Sequence, residues 1–120
     1  SATGTIRRRP DILGHRRSSD ISSLQTIQWE LTTKALCWLK PGGQLIYATC
    51  SLQPEEGEDI ITAIVDAAEG RYTVAPITPA DAGLFARSIT KNGCLRILPS
   101  AYKEIGGVDG FFVARLMSVT

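Results

Sequence analysis

The run Tyr47-Ala48-Thr49-Cys50-Ser51-Leu52-Gln53-Pro54-Glu55-Glu56 decides the fold, because it sets a cysteine where an apolar strand ends and an acid-rich helix begins. The residues that lead into it, Gln44-Leu45-Ile46-Tyr47-Ala48-Thr49-Cys50, are mostly apolar and are bounded by Pro41-Gly42-Gly43 and by Pro54. Such a run predicts a strand covered on both faces, a kind usually paired in parallel and flanked by helices. In open α/β sheets ligands gather outside the carboxyl ends of these strands, so Cys50 falls at the functional rim. A half-buried structural thiol fits the same position, since free cysteine is among the most buried residue types.

Beyond Cys50, Pro54 suits a first helical turn, and Glu55, Glu56, Glu58 and Asp59 favour the positive end of a helix dipole. Ile60, Ile61, Ile64, Val65 and Ala68 then form a buried stripe that Gly70 ends. Glu55 and Glu56 are adjacent, so on a helix they point in different directions; capping and dipole complementarity fit them better than an acid–base dyad. Upstream, from about Asp20 to Leu39, Leu24, Ile27, Leu31, Ala35 and Trp38 recur at helical spacing and predict the buried face of a longer helix. Asp20 or a neighbouring serine can cap its start, and Trp29, Trp38 and Cys37 read as packing residues. Further on, Tyr72 to Val74 reads as a short strand and residues 76–93 as connection, with a helical turn possible over Ala80 to Arg87. Leu95 to Leu98 and Phe111 to Met117 read as two strands joined by a glycine-rich loop.

The 120 residues, 43% of them hydrophobic, suit one small domain, and no run approaches the roughly 18 apolar residues of a membrane span. No secretory signal is visible, and the lack of a starting Met is consistent with processing or truncation. Cys37, Cys50 and Cys94 are too widely spaced for a zinc site and odd in number, which points to reduced thiols. A net charge of +1 gives no global attraction to nucleic acid, so any such affinity must be local. Residues 1–19 are the one basic region, an irregular arm carrying Arg7, Arg8, Arg9, His15, Arg16 and Arg17 and punctuated by Gly4, Pro10 and Gly14. A solvated terminus and a phosphate-contacting loop both fit it; the second would add salt-dependent affinity without sequence readout.

Lys40-Pro41-Gly42-Gly43, Tyr47-Ala48-Thr49-Cys50-Ser51 and Pro54-Glu55-Glu56 form one block that resembles the Sun-type RNA (cytosine-5) methyltransferases. Ser1-Ala2-Thr3-Gly4-Thr5-Ile6-Arg7-Arg8 with Pro10-Asp11-Ile12, Leu95-Arg96-Ile97-Leu98-Pro99, and Asp109-Gly110-Phe111-Phe112-Val113-Ala114-Arg115-Leu116 agree in order and spacing, so the likeness spans nearly the whole chain. Gly57 departs from it, standing where many members carry Asn, and is expected to loosen the turn after Pro54.

The resemblance implies an α/β fold, the C-terminal half of a Rossmann-like S-adenosylmethionine-dependent methyltransferase sheet. Residues 43–50 would be strand five, residues 95–98 strand six, and residues 111–117 strand seven, the last running antiparallel. The chain then divides into the arm at 1–19 and a partial catalytic domain at 20–120. It implies Cys50 as covalent nucleophile on cytosine carbon 6, and RNA contacts from Arg7, Arg8, Arg9, Thr49 and Ser51. The implied partner is RNA, ribosomal by family habit, with no membrane; the implied location is cytoplasmic, or nucleolar in a eukaryote. The family's Asp-x-Pro-Cys motif would immediately precede Ser1, and the glycine-rich loop and acidic ribose contact for S-adenosylmethionine are absent. The isolated chain is therefore expected neither to bind that cofactor well nor to methylate RNA, and to self-associate through an exposed edge and apolar face. A non-catalytic RNA-binding or assembly module on the same fold is the alternative. Methylation of a protein or small molecule fits less well, because it does not require this cysteine.

Overall fold

A strand that alternates strictly between one face and the other organises the molecule. In Phe111–Ser118 (β4), Phe112, Ala114, Leu116 and Ser118 point to one side and are buried, while Phe111, Val113, Arg115 and Met117 point to the other. The computed structural model describes residues 1–6, 8–11, 14 and 18–119. β4 lies between Gln44–Thr49 (β1) on one edge and two short strands, Tyr72–Val74 (β2) and Leu95–Ile97 (β3), end to end along the other. All three pairings are antiparallel, with Tyr47 opposite Ala114, Val74 opposite Leu116 and Arg96 opposite Phe112.

The sheet corrects two expectations for β1. Among the described residues it pairs only with β4, and it does so antiparallel rather than in parallel. It is also covered on one face only. Tyr47 is buried and Leu45 half-buried beneath the helices, whereas Ile46 on the opposite face is 60% exposed.

Two helices cover the Phe112 face. Ser18–Cys37 (α1) carries Asp20 in its first turn, and Glu58–Ala67 (α2) follows a 3-10 turn at Pro54–Glu56. Leu36, Tyr47, Ile60, Ile61, Ile64, Cys94, Phe112, Ala114 and Leu116 make the core between helices and sheet. The expected stripe on α2 is the observed one, with Ile60, Ile61, Ile64 and Ala68 all buried and Val65 packed beside them.

On α1 the buried face is not the expected one. Leu36 and Thr32 are buried and Gln28 lies half-buried in line with them, whereas Ile27, Leu31 and Trp38 are exposed, Trp38 by 81%. Trp29 is 40% exposed and Cys37 is exposed, so neither is core filler. The physical reason is that this helix meets a buried carboxylate and not only apolar side chains. Gln28 donates to Glu56, and the Thr32 hydroxyl donates back to the Gln28 carbonyl at 2.7 Å.

On the other side of the sheet, Leu95, Ile97 and Tyr102 form a second core with Phe85, Ile89, Phe111 and Val113. The intervening chain supplies it through a short helix at Pro79–Ala82 (α3), with Thr78 and Asp81 closing a capping box, and 3-10 turns at Gly83–Ser88 and Pro99–Ile105. No helix among the described residues is long and apolar enough to cross a membrane.

The Cys50 turn as candidate active site

Cys50 is the first residue past the carboxyl end of β1 and is half-exposed. Three segments meet at its backbone. Gly4 N–H donates to the Cys50 carbonyl at 2.6 Å, and Gly110 N–H donates to the Gly4 carbonyl at 2.7 Å. Only glycine permits this approach at residue 4, because a Cβ there would lie 2.1 Å from the Gly110 oxygen and 2.3 Å from the Cys50 oxygen. Residues 3–5 thus form a 3-10 turn packed under the cysteine, with Thr3 and Gly4 buried; this part of the basic stretch is not a free arm.

The residue after the cysteine faces inward. Ser51, expected as an RNA contact, is fully buried and its hydroxyl donates to Glu56 Oε2 at 2.6 Å. That hydroxyl also accepts from Gln53 N–H, and Thr3 Oγ1 accepts from Leu52 N–H at 2.8 Å, so side chains satisfy the backbone where the strand stops. Thr49, half-buried, accepts from Ser51 N–H at 3.3 Å.

Glu56 stands at the centre of these contacts. Its side chain is fully buried, and its carboxylate accepts from Ser51, from the Ser1 hydroxyl and the terminal amino group of this chain, both at 2.5 Å, and from the Gln28 amide at 3.1 Å. Burial alone would push Glu56 up, but the hydrogen bonds from Ser1, Ser51 and Gln28 outweigh it and hold the carboxyl below its ordinary value. Its carbonyl accepts from the buried Tyr47 hydroxyl. Burial, aided by the Glu56 charge, pushes Tyr47 up to about 12, so it remains a neutral donor. Glu56 is therefore not the surface dipole residue expected from its acidic run.

Arg96 braces the turn from below. Its guanidinium donates to the Ser51 carbonyl at 2.6 Å, pairs with Glu58 and stacks 4.9 Å over the Phe112 ring. Gly57 leaves room for it: a Cβ there would lie 2.9 Å from Arg96 Nη2 and 3.0 Å from Phe112. The turn after Pro54 is closed by Gly57 N–H to the Pro54 carbonyl at 3.1 Å.

The basic residues divide. Arg8 grips Asp109 through three hydrogen bonds of 2.6 to 3.0 Å. The Asp109 hydrogen bonds and charge raise Arg8 above its ordinary value. Arg9 pairs with Asp11 at 3.2 Å on the surface. Arg7, His15, Arg16, Arg17 and Ile12 lie outside the described residues.

Cys50 does not line any of three cavities that lie elsewhere among the described residues. One of these, of about 510 Å³, lies between α2 and residues 90–94, over Ile61, Val65 and Cys94. Burial, aided by the Glu58 charge, raises the Cys94 thiol. Nor do the described residues include a glycine-rich loop with an acidic ribose partner that would fit S-adenosylmethionine.

Glu56, Gln28, Thr3 and Arg96 were not singled out by sequence reading as parts of this site. Thr3, Arg96 and Asp109 do lie within the motifs quoted for the resemblance, whereas Gln28 carries no signal beyond a polar residue in line with Leu24 and Leu36.

Comparison with known proteins identifies the family. The 16S rRNA methyltransferase RsmB/F model matches residues 1–117. Ribosomal RNA small subunit methyltransferase B of Klebsiella pneumoniae strain 342 is 46% identical over 98% of this chain and 24% of its own length. The protein of the same description from Shewanella oneidensis is 37% identical over 100% of this chain and 25% of its own. The crystal structure of PH0851 superposes with a TM-score of 0.81 at 28% identity, covering 96% of this chain and 24% of that one. The chain thus spans about a quarter of the length of the relatives it matches. With the family model matching nearly every residue, the chain belongs to the RsmB/F, Sun-type, family of 16S rRNA methyltransferases.

Proposed function

We propose that this chain is part of the catalytic domain of an S-adenosylmethionine-dependent methyltransferase that acts on carbon 5 of cytosine in ribosomal RNA, with Cys50 as its nucleophile. Carbon 5 of cytosine is too weak a nucleophile to take a methyl group directly. The Cys50 thiolate adds to carbon 6, which makes carbon 5 electron-rich; once carbon 5 is methylated, loss of its proton restores the ring and expels the sulfur. S-adenosylmethionine supplies an electrophilic methyl group. Its contacts are assigned to the other three quarters of the whole protein, consistent with relatives about four times as long.

The observation that carries this reading is the placement of Cys50, half-exposed at the carboxyl end of β1 on a turn held by residues 1–5, Glu56 and Gly110. Arg8, Arg9 and Thr49 are the RNA contacts proposed among the described residues, and Arg7 is proposed with them on the resemblance alone. The order β1-β4-β3, with β4 antiparallel to both neighbours, supports reading them as strands five, seven and six of a Rossmann-like methyltransferase sheet.

Cys50→Ala in the full-length protein tests the assignment. Methyl transfer should be lost while RNA binding is kept; methylation at the wild-type rate would eliminate Cys50 as nucleophile, and loss of both would favour a binding role. For the isolated chain, calorimetric titration should give no tight binding of S-adenosylmethionine. We further infer that the isolated chain pairs with a second copy of itself through the open edge of β1 and the exposed Ile46.

A further inference from the structure

We propose that Glu56 is a positioning residue, which sets the direction of Cys50 by holding the turn from inside. This inference rests on the reading of Cys50 as nucleophile.

A strand that ends at a surface rim frays unless something fixes the residues after it. Here the side chain of Ser51, adjacent to the cysteine, is fixed by a 2.6 Å hydrogen bond to a fully buried carboxylate. The same carboxylate holds Ser1 and, through Gln28, the buried side of α1. Ser1 leads directly into Thr3 and Gly4, which support Leu52 and Cys50 through their own hydrogen bonds. One anion therefore reaches the backbone that leaves the cysteine by two routes, through Ser51 and through Ser1, Thr3 and Gly4.

A carboxylate suits this place better than a neutral group. It offers acceptor sites to all four donors at once, and charge-assisted hydrogen bonds are shorter and stronger than neutral ones. Glutamine would turn one acceptor into a donor facing hydroxyl and amide donors. Ser51 or Ser1 would then have to rotate, and the turn would loosen. Glu56 itself does not touch the reacting ring in this scheme; its effect passes through Ser51. Near-attack geometry is sensitive to this, because a displacement of about 1 Å at a reacting atom costs on the order of a hundredfold in rate.

The test uses the full-length protein and RNA carrying 5-fluorocytidine at the methylated position, on which the covalent adduct accumulates because fluorine is not lost as a proton. Glu56→Gln and Ser51→Ala should each slow adduct formation by tenfold or more while RNA affinity stays within about twofold. The double variant should be no slower than Glu56→Gln alone, since both substitutions cut the same link. Should Glu56→Gln fail to fold, Ser51→Ala carries the test, because it leaves the carboxylate with its other donors. Wild-type adduct rates in a folded Glu56→Gln, or in Ser51→Ala, would overturn the proposal, as would rate losses matched by lost RNA affinity. An adduct that survives Cys50→Ala would instead overturn the nucleophile reading beneath it.

Discussion

The turn around Cys50 and the outer face of α1 reverse the usual division between inside and outside. At the turn, Thr3, Ser51 and Glu56 are buried, and their hydroxyl and carboxylate groups hydrogen-bond one another or neighbouring backbone. On the outer face, Ile27, Leu31 and Trp38 stand in solvent, with Ile46 exposed on β1. Burying a polar group is costly unless each of its hydrogen bonds is replaced, so a polar cluster survives inside only if geometry is closely specified. An exposed apolar face specifies nothing by itself. The difference separates a part of the molecule that is complete from one that presents unpaired surface.

The comparison breaks most visibly if the buried anion is removed. Glu56→Ala should cost about 3 kcal/mol or more in denaturant unfolding, because it strands the donors of Ser1, Gln28 and Ser51 in the interior. A cost below about 1 kcal/mol would mean the cluster relaxes easily. Gly57→Asn should destabilise by about 1 to 3 kcal/mol, since its side chain would enter space held by Arg96 and Phe112. Stability should also fall in acid. Glu56 has a folded value below its ordinary 4.5, so its contribution is fully present above that value and is lost as pH drops through the lower folded value. In Glu56→Gln that part of the acid dependence should disappear, which a pH series of urea midpoints can measure. Ile46→Lys should leave the unfolding free energy within about 0.5 kcal/mol yet shift the isolated chain toward monomer in sedimentation. Equal association of wild type and variant would remove β1 from the proposed contact.

How much was legible in the sequence follows the same division. The strands and the stripe of α2 could be read, because alternation in β4 and helical spacing from Ile60 to Ala68 are properties of neighbouring residues. The position of Cys50 at the end of a strand was legible for the same reason. The inward face of α1 was not. Its apolar residues suggested one row, but Gln28 and Thr32 occupy another because of Glu56, which lies 28 positions from Gln28. Glu56 itself looked like one more acid near a helix start; its other partners lie 5 and 55 positions away, and no local pattern reports such distances. The one-sided cover of β1 was missed because an apolar run reads the same whether its second face is covered or bare.

The three strand pairings described in the sheet share one partner. β1, β2 and β3 each pair with β4, and β4 is the last of the four along the chain. When residues 1–120 are synthesised on their own, the first three emerge before the strand they pair with, so this sheet can close only after residues 111–118 have left the exit tunnel. Nascent chains stalled before Phe111 should accordingly stay sensitive to protease, and those released past Ser118 should become resistant in a single late step.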